Sequence, residues 1–89
     1  MRIISLRPYV NGYTGFIEDE RSYAYFKFPR KGELNRLVIY PKSDYADYGH
    51  FLGGITRFFP STAFLKEPVP LESCTISELD RIFACISKQ

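Results

Sequence analysis

Asp44, Asp47 and His50 recur every third residue, and carboxylates beside an imidazole can hold a metal ion or move a proton. On a helix each step of three residues turns the side chain about 60° from the last. The three therefore cannot close on one ion unaided. His50 is the only histidine, so a zinc site would have to borrow Cys74 or Cys85 through the fold. Cys74 precedes an apolar helical stretch. A thiol at a helix N-terminus can have a lowered pKa and can pair with a histidine as a nucleophile. Nothing in the spacing brings Cys74 to His50. No nucleophile elbow, phosphate loop or dinucleotide fingerprint occurs in the sequence. Both cysteines read as structural, and the expectation is a chain with no catalytic residues, no metal and no cofactor.

The remaining candidates are binding groups. Ser22-Tyr-Ala-Tyr-Phe-Lys-Phe28, read as a strand, alternates between two faces. Ala24, Phe26 and Phe28 form an ordinary core face. Tyr23, Tyr25 and Lys27 form a face of two rings beside a cation. Aromatic rings on a sheet can stack bases at about 1–3 kcal/mol each, while nearby cations neutralise phosphates. Tyr and Arg are also frequent anchors of protein interfaces. Tyr13, Tyr23, Tyr25, Lys27 and Arg36 are the candidate contact residues. The acidic run Glu18-Asp19-Glu20 joins them, since it can meet a basic partner or mimic phosphate, although three adjacent carboxylates also suit a solvated hairpin tip.

Two local likenesses accompany this strand. Arg21, Tyr23, Ala24 and Phe28 fit an octamer of the RNA-recognition domain, Tyr25 is a near match, and Ser22 and Phe26 depart from it. That domain sets its octamer after a strand, a helix and a second strand. The twenty residues before Arg21 are too few for these. Asn11-Gly-Tyr-Thr-Gly-Phe-Ile17 with Tyr25-Phe-Lys-Phe28 resembles a segment of cold-shock domains over about twenty residues. There Thr14 is an insertion, Lys27 stands in place of a histidine, and nothing after Pro29 continues the pattern. Neither likeness assigns the chain to a family.

These side chains must be positioned by 89 residues, read as a single domain over 1–89. Seven tyrosines and eight phenylalanines are hard to bury completely in so short a chain. The net charge of +2 is lower than a dedicated duplex binder usually carries. Its cations are uneven, however, with Arg2, Arg7, Arg21, Lys27, Arg30, Lys31, Arg36 and Lys42 all in the first half. No apolar run reaches the roughly 18 residues of a membrane span. Arg7 and Pro8 interrupt the start too early for a signal sequence. A cytoplasmic, non-membrane protein is expected. If one helix carried both Cys74 and Cys85, they would lie roughly 16 Å apart, too far for a disulfide.

The pattern predicts strands over 2–6, 13–17 and 22–28, with a turn near Pro8 and Asn11-Gly12 and a polar hairpin loop at 18–21. Arg36-Leu-Val-Ile-Tyr40 is apolar on both faces and reads as a central strand. Ser43 could cap a helix from Asp44 to about Leu52, ended by Gly53-Gly54. Another strand is expected over 55–59, a short strand or turn over 61–66, and an extended Pro68-Val-Pro70. Thr75-Ile-Ser-Glu78 matches a capping box. Ile76, Leu79, Ile82, Phe83 and Ile86 follow at helical spacing, and Lys88 suits the negative end of that helix. The fold class is α+β: a small antiparallel sheet of four or five strands, a short middle helix, and a C-terminal helix packed on one face.

The function expected is a small non-catalytic interaction module that binds a protein partner as a regulator or inhibitor. Small proteins encoded by phages and plasmids offer an analogy of type. The alternative is single-stranded nucleic-acid binding through the aromatic-basic sheet face. Either could be accompanied by pairing of two copies through an exposed strand edge.

Overall fold

Alternating apolar side chains and tight turns build a meander of four antiparallel strands in a computed structural model that describes residues 1–87. They are β1 (Arg2–Tyr9), β2 (Gly12–Glu18), β3 (Ser22–Pro29) and β4 (Asn35–Pro41). The first hairpin closes through Val10-Asn11, with Tyr9 opposite Gly12. Gly12 has a φ of 156°, and a Cβ there would lie 2.0 Å from the Phe28 carbonyl oxygen. Only glycine fits that crossing. In the second hairpin the Asp19 carboxylate accepts from the backbone N–H groups of Arg21 and Ser22, at 3.0 and 2.9 Å. An Asx-type turn of this kind lets the acidic loop reverse the chain.

A two-residue strand, β5 (Val69–Pro70), pairs with β1, so the sheet order is β4-β3-β2-β1-β5. β4 is therefore an edge strand, not the central strand that its apolar sequence suggested. The last strand of a meander stays outermost unless a later segment pairs with it. Here the chain leaves β4 into a 3₁₀ turn (Lys42–Asp44), and the later strand joins the opposite edge.

Two helices cover the two faces of the sheet. α1 (Tyr48–Ile55) is capped by Asp47, whose carboxylate accepts from the His50 backbone N–H at 2.9 Å, not by Ser43. It runs through Gly53-Gly54, and 55–59 forms its end and a following turn, not a strand. Phe51 and Ile55, four residues apart and both buried, bind this face to the sheet. Their burial outweighs a helical-glycine cost of about 0.5–1 kcal/mol each. The 61–66 segment is irregular, held by one ladder-like bond from the Leu65 N–H to the Ile4 carbonyl.

α2 (Ile76–Ile86) begins at Thr75, whose hydroxyl accepts from the Glu78 N–H at 3.2 Å. Glu78 in turn accepts from the Ser73 N–H, two residues before the Thr75 N–H that a reciprocal capping box would use. Lys88 lies outside the described residues.

The sheet thus carries a core on each side. Ile3, Leu6, Tyr13, Ile17, Ala24, Phe26 and Phe28 pack under Leu79 and Ile82 of α2. Ile4, Phe16 and Tyr23 pack under Phe51 and Ile55, with Tyr25, Tyr40, Phe59 and Phe64 around them. Neighbouring Ile3 and Ile4 enter different cores. Ile4 is the extra residue of a bulge, since Ile3 pairs with Ile17 and Ser5 with Phe16.

Candidate functional site

The alternation in β3 holds: Ala24, Phe26 and Phe28 face α2, and Tyr23 and Tyr25 face the other way. That other face is itself covered. Tyr23 is 3 % exposed, and its ring stacks on Phe51 at 4.0 Å and 16°. Tyr25 is half-buried between Phe16 and Phe59, at 5.2 and 5.3 Å. Lys27 is exposed, with its ammonium 5.7 Å from the Tyr9 ring. Tyr13 faces the opposite side, 4 % exposed, with its hydroxyl donating to Asp80 of α2 at 2.6 Å. The rings of Tyr13 and Tyr23 are core material on different faces, so they do not form an open stacking platform.

Arg36 does not join the tyrosines either. Counting by twos from Tyr40 would put it on their face. Val38 pairs with Tyr25 and Arg36 with Phe26, however, so Leu37 is an extra residue and Arg36 is carried to the α2 side. A bulge of this kind has no signature in a run of apolar residues.

The acidic run is dispersed. Glu18 is buried and paired with Arg2 and with Lys42, the latter at 3.0 Å. Asp19 closes its turn. Burial alone would raise its pKa, but the bonds from Arg21 and Ser22 hold it below the usual carboxylate value. Only Glu20 points freely into solvent.

The chemical candidates are also occupied. His50 Nδ1 lies 2.8 Å from Asp47 Oδ1 and belongs to the α1 cap. Hydrogen bonds from the His50 side chain and then from its backbone hold the Asp47 pKa low. Cys74 and Cys85 are free and exposed. Desolvation by its neighbours pushes the Cys74 thiol pKa up, which favours the neutral thiol over the nucleophilic thiolate. Among the described residues no group of three or more His, Cys, Asp or Glu side chains converges. Every fully buried side-chain polar atom there has a hydrogen-bond partner.

Asp80 accepts from both Tyr13 and Arg30, and those bonds, Arg30 first, depress its pKa. This cluster ties α2 to β2 and to the turn after β3, and serves as a fastening.

What stays open is the outer edge of β4. Leu37, Val38 and Ile39 are 44, 42 and 50 % exposed, although strongly apolar. The strand spans seven residues with a free row of backbone groups along one side. The opposite edge is broken up: β5 covers only Arg2 and Ile3 of β1 and carries Pro70, the Leu65 N–H donates to the Ile4 carbonyl, and Pro8 interrupts the stretch of β1 beyond. Sequence reasoning recognised Arg36–Tyr40 as a strand and missed this role, since an apolar run reads the same whether it is buried by its own sheet or by a partner.

No protein family, no curated protein and no solved structure matches this chain. No described helix is long and apolar enough to cross a membrane.

Proposed function

We propose that this chain is a non-catalytic interaction module that binds protein by strand addition along the outer edge of β4. The observation that supports this reading is the exposure of Leu37, Val38 and Ile39 on an edge strand, while the other edge is partly covered by β5 and interrupted by Pro8. Strand addition draws affinity from backbone hydrogen bonds and specificity from alternate side chains. A long apolar edge left bare is a liability that proteins otherwise blunt. The former catalytic candidates have structural duties: Asp47 and His50 cap α1, and the Cys74 thiol is biased to its neutral form. Regulation by occupancy, without turnover, is the role that fits. Of the tyrosines considered for base stacking, Tyr13 and Tyr23 are buried in different cores and Tyr25 is half-buried, which favours the protein-binding reading over the nucleic-acid one.

The test is capture on the immobilised chain at physiological salt, wild type against Val38→Lys, with circular dichroism to verify the fold. Protein held by the wild type, whether its own copy or another chain, and released by Val38→Lys is the expected result. Equal retention by both, or none by the wild type, overturns the reading.

A further inference from the structure

The reading of β4 as a binding edge can be carried to its occupant. Resting on that reading, we propose that the strand added to β4 is the β4 of a second copy, joined antiparallel across a twofold axis, so that two five-stranded sheets become one of ten. The other edge of the sheet is broken up, so pairing through β4 leaves at each end the two-residue β5 and the stretch of β1 beyond it, which Pro8 interrupts. The assembly closes at two chains and does not extend into a fibre.

The side chains along the edge choose the register. A twofold axis perpendicular to the sheet keeps every side chain on its own face, so one residue must sit opposite its own copy. Centred on Val38, the joint sets Val38 against Val38 and Leu37 against Ile39. It gathers the exposed apolar residues of both copies with no charge among them. Centred on Leu37, it would set Arg36 against Val38 and Asn35 against Ile39. Centred on Ile39, it would bring Arg36 of each copy toward Lys42 of the other, and like charges placed opposite are destabilising. The self-complementary register is therefore the Val38 one.

The joint is bounded on both sides. The bulge at Leu37 perturbs the ladder before Arg36, and Pro41 has no N–H to donate. Phe58, 78 % exposed, adjoins Phe59, which packs on Tyr25, the residue paired with Val38. So short a ladder falls at the small end of stable interfaces, and a Kd of about 10–100 µM is expected. Because the contact is apolar, added salt should leave it unchanged or strengthen it.

Sedimentation equilibrium from about 1 to about 500 µM tests this directly, since the range brackets the expected Kd. The wild type is expected to pass from monomer to dimer, and Val38→Lys, which sets two ammonium groups face to face, to weaken the dimer at least about tenfold. The register is tested by Val38→Cys in a background with Cys74→Ser and Cys85→Ser, oxidised with glutathione disulfide. Cross-linking is expected to exceed that of Val10→Cys by about tenfold, because Cβ atoms opposite one another lie within about 5.5 Å. Val10 is 93 % exposed at the far hairpin and serves as the control. Should Val38→Lys fail to fold, the cross-linking comparison still decides.

A monomer throughout the range, or cross-linking no faster than the control, overturns the proposal. If the wild type is monomeric yet retains a different protein that Val38→Lys releases, the second copy is excluded and the binding edge stands. If the monomer retains nothing, both fall.

Discussion

Tyr48 shows how one polar atom is accommodated against an aromatic core. Its hydroxyl donates to the Leu65 carbonyl at 2.8 Å, which holds the irregular 61–66 segment over the sheet. Burial, and then the negative charge of Glu18, push its pKa up to about 12. A tyrosine whose folded pKa is raised contributes stability that is fully present below its unfolded pKa of about 10. That contribution is lost as pH rises through the folded value. Urea unfolding midpoints are therefore expected to fall between about pH 9.5 and about pH 12, and to fall less steeply in Tyr48→Phe. Near neutral pH the same variant is expected to lose about 1 kcal/mol with its hydrogen bond. Equal alkaline slopes would show that Tyr48 is not among the groups that titrate on unfolding. Burial also raises Tyr13, Tyr23 and Tyr40, so a residual slope belongs to them.

At the scale of elements, the two helices form for different reasons. α2 has a strong cap and an apolar stripe, with Leu79 and Ile82 buried. Thr75→Ala is expected to cost about 1 kcal/mol and Thr75→Ser much less, read from denaturant midpoints. α1 is short, contains three glycines and depends on Phe51 and Ile55 being buried. Gly53 has open space where a Cβ would go. Gly53→Ala is therefore expected to stabilise the protein by about 0.5–1 kcal/mol, which would appear as a higher melting temperature. A lower melting temperature would mean that the glycine serves a contact made only in a complex. The strands were largely legible from alternation and turn residues, and α2 from its cap and spacing. α1 was misplaced because Gly-Gly signals a helix end locally, while packing of Phe51 against Phe16 and Tyr23 keeps the helix going.

For the molecule as a whole, the decisive arrangement is a sheet with both faces covered and the whole of β4 left open along one edge. Phe16 sits at the centre of the α1-side core, with the rings of Tyr25, Phe59 and Phe64 all within 5.2 Å of it. Phe16→Ala is expected to cost about 3–5 kcal/mol. The total stability of a chain this long is about 4–13 kcal/mol, so the variant should be largely unfolded at moderate temperature. Phe58→Ser, at an exposed ring, is expected to change stability by less than about 0.5 kcal/mol. If the two variants behaved alike in thermal unfolding, the core would not be where the aromatic packing locates it.

The sequence by itself determined the local elements: which stretches alternate, where proline and glycine turn the chain, and where Thr75 starts the last helix. These follow from short-range rules that need only neighbouring residues. It also placed Ala24, Phe26 and Phe28 on one face and Tyr23 and Tyr25 on the other. Tertiary structure decided what each face meets. Both faces of β3 are covered because α1 closes over the tyrosines, and the bulge at Leu37 sends Arg36 to the other side. It also decided that Leu37, Val38 and Ile39 lie on an edge, because the strand that follows β4 among the described residues joined β1. A period of two says which residues share a face, but which strand becomes the last in a sheet depends on pairing between distant segments.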